Sequence, residues 1–72
     1  GVEVSGLMYE NREGLLKVSL RSRERVNVNA VCRLHGGGGH RLASGCKLEG
    51  SLVQGLELLE REVATQIRAD IV

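Results

Sequence analysis

Two stretches near the start of the chain alternate between hydrophobic and polar residues, as half-buried β-strands do. The first is Val2 to Glu10 and the second is Leu15 to Arg21, where aliphatic residues occupy every second position from 16 to 20. The sequence NREG between them supplies asparagine and glycine, the residues that tight turns favour. The pattern therefore predicts a β-hairpin.

The middle of the chain predicts a short helix followed by a short strand. The segment Val26 to His35 begins as an extended piece and continues with helical periodicity, and Asn27 or Asn29 can serve as its N-cap. Gly36 is expected to end this helix, because glycine is favoured just after a helix C-terminus. The sequence CKLEG, from residue 46 to 50, alternates again and predicts a strand.

Ser51 begins the most strongly periodic helix of the chain. Ser51 and Gln54 match the capping box, in which two side chains satisfy the first free amides of a helix. Within this helix, hydrophobic residues at spacings of three and four form a stripe that is expected to face the core: Leu52, Leu56, Leu59, Val63 and Ile67.

Together, the elements predict an α+β fold, a small β-sheet covered by two to three helices in the order β-β-α-(Gly loop)-β-α.

Length and charge narrow the function classes. Seventy-two residues make one small domain, and a chain that starts without Met inside a strand pattern is expected to be a fragment of a larger protein. A net charge of +1 gives the protein no overall positive potential that would attract nucleic acid, so any phosphate binding must come from cationic residues clustered at one place. Tyr9 is the only aromatic residue, which disfavours RNA modules built on several stacking rings.

The cysteines and histidines raise a zinc-knuckle alternative. Cys32, His35, His40 and Cys46 are spaced C-x2-H-x4-H-x5-C, but Cys32 and His35 share the periodicity of a core helix and Cys46 occupies a buried strand position. Two irregularly spaced cysteines in so short a chain are expected to be reduced, which predicts a cytoplasmic protein. No apolar run approaches a membrane span, so no membrane partner is expected.

Four consecutive glycines stand immediately before His40 and Arg41. Without Cβ atoms, such a backbone can approach a phosphate closely and direct successive amides toward it. The structural alternative is a strained connection between helix and strand. Neither the P-loop nor the dinucleotide-binding fingerprint fits the residues around the run. Arg21 and Ser22 end the second strand, and a guanidinium with a hydroxyl is suited to phosphate.

Three segments together resemble the DHH-associated C-terminal domain, the smaller domain of the DHH phosphoesterases. They are VSLRS (18–22), VNVNAVCRLHGGGGHRLASGCKLEGSL (26–52) and the helix that follows. The family includes oligoribonucleases that also dephosphorylate 3′-phosphoadenosine 5′-phosphate, RecJ-like exonucleases and exopolyphosphatase-related proteins. A related domain forms the C-terminus of alanyl-tRNA synthetase. The alternative function is therefore that of a nucleic-acid-binding module in a parent protein that does not hydrolyse its ligand.

The resemblance implies a division of labour between two domains. An N-terminal domain with an Asp-His-His motif, absent from this chain, holds Mn²⁺ and carries out hydrolysis, so neither a catalytic residue nor a metal site is expected here. The implied partners are that domain and a short single-stranded oligonucleotide or a nucleoside bisphosphate, and strand pairing between copies would give a homodimer. The implied substrate-binding residues are Arg21 and Ser22 at the phosphate, Gly37, Gly38 and Gly39 along the cleft, and His40 near the terminal phosphate or sugar.

Overall fold

The computed structural model describes residues 3–71 as a four-stranded antiparallel sheet with two helices. The sheet order is β1-β2-β4-β3, so β2 and β4 are central and β1 and β3 are edges. This confirms the α+β class, although Val2, the predicted start of the first strand, lies outside the described residues. The elements are β1 (Val4–Glu10), β2 (Leu16–Ser22), α1 (Val28–Arg33), β3 (Gly38–His40), β4 (Ala43–Leu48) and α2 (Leu52–Ile71).

The predicted hairpin of β1 and β2 is confirmed, and Asn11 organises its turn. The Asn11 side-chain oxygen accepts the amides of Glu13 at 2.9 Å and Leu15 at 3.0 Å. Gly14 has φ of +79°, a conformation that L side chains rarely adopt. The turn residues therefore specify the local geometry from which the strand pairing follows.

The core lies on one face of the sheet. Every second residue of β2 is buried there, and both helices pack against that face. In the part of the chain that the structure describes, the opposite face carries no helix, and we call it the open face. The core cluster contains Leu16, Val18, Leu20, Val28, Val31, Cys32, Cys46, Leu48 and Leu59.

The glycine run is a helix end followed by a strand, which corrects the prediction of a single loop. Gly36 has φ of +74° and donates to the Arg33 carbonyl at 3.2 Å, while Gly37 donates to the Cys32 carbonyl at 3.0 Å. These are the two hydrogen bonds of a Schellman motif, which closes α1. The next three residues form β3, which pairs with β4 through the turn at Arg41 and Leu42. Three residues without hydrophobic alternation carry no strand signal, so only the partner strand reveals this element.

The predicted helix signals are confirmed at their N-termini. Asn27, not Asn29, caps α1, because its side chain accepts the Ala30 amide at 3.1 Å. In α2, Ser51 Oγ accepts the Gln54 amide at 3.1 Å and Gln54 Oε1 accepts the Ser51 amide at 3.0 Å. Both contacts are local in sequence, which explains why they could be predicted.

The predicted α2 stripe reaches the core at Leu59 and, partly buried, at Val63. Leu59 is buried, whereas Leu52 and Leu56 are 48% and 53% exposed. A 20-residue helix is about 30 Å long and outreaches seven-residue strands of roughly 23 Å. Leu56, Val63 and Ile67 of the stripe border an apolar groove between α2 and β1. Periodicity identified the hydrophobic face of α2 but not how much of it the sheet would cover.

Candidate functional site

Strand pairing places Arg21 and His40 in the same row across the open face. Ser5 pairs with Arg21, Arg21 with Ala43, and Ala43 with His40. The Cα atoms of Arg21 and His40 are therefore two strand spacings apart, roughly 10 Å. Only the methyl group of Ala43 stands between these two exposed side chains. Two long donor side chains thus flank a small residue, an arrangement that leaves room for a ligand.

The neighbouring row forms a floor of small residues. Ser19 pairs with Gly45, and Gly45 pairs with Gly38. A depression of about 240 Å³ lies above this floor, and Arg21 and Ala43 also line it. The prediction that Arg21 and the glycine run would lie together at one site is consistent with this geometry at Gly38.

The charges of the open face are all of one sign. Lys17, Arg21 and Lys47 occupy open-face strand positions, and none of the described strand positions on that face holds a carboxylate. Glu13, in the hairpin turn, approaches Lys47 Nζ only to 4.0 Å. A chain with a net charge of +1 thus presents a locally cationic surface, which attracts anions despite the balanced total.

The four glycines are needed for different reasons. At Gly37, an added Cβ would collide with the Gly45 carbonyl oxygen and lie 2.6 Å from Cys46 Cβ. At Gly39, where φ is +146°, it would lie 2.7 Å from the Ala43 carbonyl oxygen. At Gly38, the only atom it would meet within 4 Å is Asn29 Oδ1, at 4.0 Å. Backbone geometry and close packing therefore account for Gly36, Gly37 and Gly39, whereas neither accounts for Gly38.

Ser22 lies on the opposite face from Arg21, because successive strand residues point to opposite sides. It is 9% exposed, and its hydroxyl accepts the Val26 amide at 3.1 Å and donates to Glu3 Oε1 at 3.4 Å. The structure does not bring this hydroxyl beside the Arg21 guanidinium. Its predicted contact with phosphate stays a prediction, and the observed role of Ser22 is to hold the loop after β2.

Glu3 organises that same loop. Its Oε1 accepts the amides of Glu24 at 3.2 Å, Arg25 at 2.5 Å and Val26 at 3.3 Å. The hydrogen bond from the Arg25 amide is the main cause that lowers the pKa of Glu3, and the other two amides act in the same direction. The basic loop that follows β2 is thereby fixed from the β1 side of the sheet.

The cysteines and histidines of the zinc-knuckle spacing do not converge. Cys32 and Cys46 are buried in the core, His40 is exposed beside the open face, and His35 Nε2 lies 2.6 Å from Glu62 Oε1. Burial raises the pKa of the Cys46 thiol to about 12 and also raises that of Cys32, which disfavours the thiolates that zinc requires. Nowhere in residues 3–71 do three or more His, Cys, Asp or Glu side chains form a possible metal site, so these residues do not fit the implied Mn²⁺.

Between residues 3 and 71, neither helix has the length and hydrophobicity that crossing a bilayer requires. Cys32 and Cys46 are both buried and form no disulfide in the described structure.

Comparison with known proteins agrees with this architecture. PggH, a pGpG-specific phosphodiesterase from Vibrio cholerae, has a similar structure, with a TM-score of 0.67 and 22% sequence identity. The match covers 94% of this chain and 24% of PggH, so this chain corresponds to about a quarter of that protein's length. No curated protein sequence matches the chain. The DHHA1 domain family matches residues 1–68, and the chain belongs to that family.

Proposed function

We propose that this chain is the substrate-binding domain of a DHH phosphoesterase that hydrolyses short oligonucleotides or nucleoside bisphosphates. The observation that carries the proposal is the open-face row in which Arg21 and His40 flank Ala43. The row stands beside the floor of Ser19, Gly45 and Gly38. A terminal nucleotide would lie on this floor with its phosphate between the two donors.

The chemistry of the two side chains suits a phosphate ester. The guanidinium of Arg21 offers a planar pair of donors that matches two phosphate oxygens. The imidazole of His40 can donate to a phosphate oxygen or to a ribose hydroxyl. Because an added Cβ at Gly38 would meet almost nothing of the protein, closeness to the ligand is the reason we infer for glycine there.

Binding and orientation are the whole contribution of this chain in the proposed reaction. Water activation and any Mn²⁺ ligands would belong to residues outside this domain. PggH supports a nucleotide substrate, since its name states that it is a phosphodiesterase specific for pGpG. Its 22% identity with this chain supports the shared fold, and the residues of the open face support the choice of substrate.

A titration of the ¹⁵N-labelled chain with guanosine 5′-monophosphate, followed by NMR, tests the proposal. We expect the largest amide shifts in β3, β4 and the C-terminal half of β2. Arg21→Ala and His40→Ala should each weaken binding about tenfold or more, because hydrogen bonds to charged groups contribute about 1.5–3 kcal/mol. Arg61→Ala, which removes an exposed cation from α2, is the matched control and should leave affinity unchanged.

Two results would contradict the proposal. One is shifts confined to the helical layer, and the other is unchanged affinity in both the Arg21 and His40 variants. A ten-residue RNA with a 5′-hydroxyl group tests the alternative, a nucleic-acid-binding module. If that RNA binds well while the mononucleotide does not, the module is the better description of the chain.

A further inference from the structure

The two lysines of the chain face each other across neighbouring strands. Lys17 and Lys47 are the only lysines among 72 residues, and they are direct partners in the pairing of β2 with β4. Like charges directly opposite each other destabilise a sheet. The ion pair with Glu13 offers little relief, since it is 4.0 Å long and both side chains are more than half exposed. This pair is therefore unfavourable for folding, and a role in binding would explain it.

The lysines line a second depression, next to the one at Arg21. It has a volume of about 350 Å³ and is also lined by Ser19, Gly36, Gly37 and Gly45. Ser19 and Gly45 line the depression at Arg21 as well, so the two depressions share this pair of small residues. Lys17 and Arg21 are four residues apart on one strand. Their Cα atoms are therefore roughly 13 Å apart, at a rise of about 3.3 Å per residue.

The only aromatic residue of the chain lies beside the lysines. Tyr9 pairs with Lys17 in the sheet, and 46% of Tyr9 is exposed. Tyr9, Lys17 and Lys47 thus form one row of the open face, two residues along the strands from the floor of small residues. Nucleotide bases stack on exposed aromatic rings, and each stack contributes about 1–3 kcal/mol.

We propose that Tyr9, Lys17 and Lys47 form a second nucleotide subsite on the open face. This rests on the proposed function, because the terminal phosphate is the one placed at Arg21 and His40. The second phosphate of the substrate lies between the two lysines and the attached base stacks on Tyr9. The preferred ligand is therefore an oligonucleotide with at least two phosphates, and a mononucleotide fills only the first subsite.

A comparison of guanosine 5′-monophosphate with pGpG and pGpGpG tests this subsite. We expect the longer ligands to bind the unmodified chain more tightly than the mononucleotide does. Lys17→Gln combined with Lys47→Gln should lower affinity for the longer ligands about tenfold and leave mononucleotide affinity unchanged. The slope of log K against log salt for these ligands should fall by about 0.7, as for one lost phosphate contact on a single strand.

Arg33→Gln combined with Arg61→Gln removes the same charge from exposed helix positions and is the matched control. This pair should change neither the affinities nor the salt slope. If the lysine pair and this control pair behave alike, the effect is one of net charge and the second subsite is absent. The two lysine side chains can also be ¹³C-methylated with retention of charge, and their signals should shift with pGpG but not with the mononucleotide.

The variant Tyr9→Leu, together with inorganic tripolyphosphate as a ligand that has no base, distinguishes a nucleotide subsite from a site that binds any polyanion. We expect this variant to weaken pGpG binding several-fold without affecting tripolyphosphate. If tripolyphosphate binds as tightly as pGpG and the variant changes neither, the nucleotide assignment is wrong. Failure of the mononucleotide to bind at Arg21 and His40 would contradict the proposed function. Mononucleotide binding there, with no gain for longer ligands, would contradict the second subsite alone.

Discussion

Gly37 and Gly38 show that neighbouring residues of one glycine run can be required for unrelated reasons. Gly37 is wedged against β4, where a Cβ would collide with the Gly45 carbonyl oxygen. Gly38 borders the open-face depression, and a Cβ there would meet a single protein atom, at 4.0 Å. One position is thus restricted by packing and the other is left accessible to a ligand.

Alanine substitutions separate these two roles. Gly37→Ala should lower the free energy of unfolding by about 1–3 kcal/mol, because an extra methyl group is forced into a packed site. Gly38→Ala should leave stability unchanged or raise it by up to about 1 kcal/mol through reduced chain entropy of the unfolded state. Gly38→Ala should nevertheless weaken binding of guanosine 5′-monophosphate. Urea titrations and NMR measure the two effects, and equal destabilisation by both variants would show that packing also explains Gly38.

Glu3 should make stability depend on pH in the acidic range. Its folded-state pKa is lowered from an ordinary value of 4.5, so its contribution is present above 4.5 and is lost as the pH falls through the folded-state value. Glu3→Gln should reduce the free energy of unfolding at pH 7, and the difference from the unmodified chain should shrink below pH 4.5. Urea titrations across this range measure the difference.

Glu57→Gln is the control for Glu3, since Glu57 is exposed on α2. It should produce no comparable difference at either pH. Asp70 titrates in the same direction as Glu3, because the Asn27 amide lowers its pKa. The comparison must therefore be made between variants and not from the unmodified chain alone. A Glu3→Gln difference that stays constant from pH 7 to pH 3 would contradict the assigned role.

At the scale of single elements, both helices depend on contacts at their ends. The helix α1 has only six residues, fewer than an isolated helix needs to be stable in water. It is held by the Asn27 cap, the Schellman hydrogen bonds and the hydrogen bond between the His35 and Glu62 side chains. Asp70, near the end of α2, accepts the Asn27 amide at 2.7 Å and so links the two helices.

The capping box of α2 should have a measurable effect on stability. Ser51→Ala removes the hydroxyl that accepts the Gln54 amide, and it should lower the free energy of unfolding by about 1 kcal/mol. Ser5→Ala is the control, since Ser5 is an exposed serine of β1. Urea unfolding followed by circular dichroism measures both variants. Equal stability of the Ser51 variant and the unmodified chain would show that packing alone determines where α2 begins.

At the scale of the whole molecule, the two layers separate stability from binding. The helical layer covers the hydrophobic face of the sheet, and the other face carries mainly small, polar and cationic residues beside Leu7 and Tyr9. Substitutions on the open face should therefore alter ligand affinity with little effect on folding. Both cysteines lie on the protected side of this division.

Thiol reactivity should report opening of the whole fold. Because burial raises the pKa of Cys46 to about 12 and Cys32 is fully buried, both thiols should react very slowly with a disulfide reagent at pH 8. In urea above the unfolding midpoint, both should react at the rate of a free thiol. Ser19→Cys places a thiol on the exposed face as a control and should react rapidly without urea. Rapid reaction of Cys46 in the native state would contradict the described core.

Some residues of the candidate site could be predicted from the sequence, and others could not. Arg21 and His40 could be predicted from the sequence because both side chains can donate hydrogen bonds to phosphate. Arg21 lies at the end of a strand pattern and His40 follows the glycines, and the family resemblance pointed to the same residues. Ser22 was grouped with Arg21 although strand alternation directs adjacent residues to opposite faces. The Lys17–Lys47 pair was missed, because pairing between β2 and β4 depends on a register that cannot be deduced from either strand alone.

Interactions within a few residues were determined by the sequence itself. The Asn11 turn, the Asn27 cap, the Ser51 capping box and the alternation of β2 all follow from covalent geometry and the fixed periods of helix and strand. Only the tertiary structure decided that part of the glycine run is a strand and that β4 lies between it and β2. The pairing of β2 with β4 joins distant segments and depends on how the helices pack on the sheet. It places Lys17 opposite Lys47 and, together with the β3–β4 hairpin, brings Arg21 near His40.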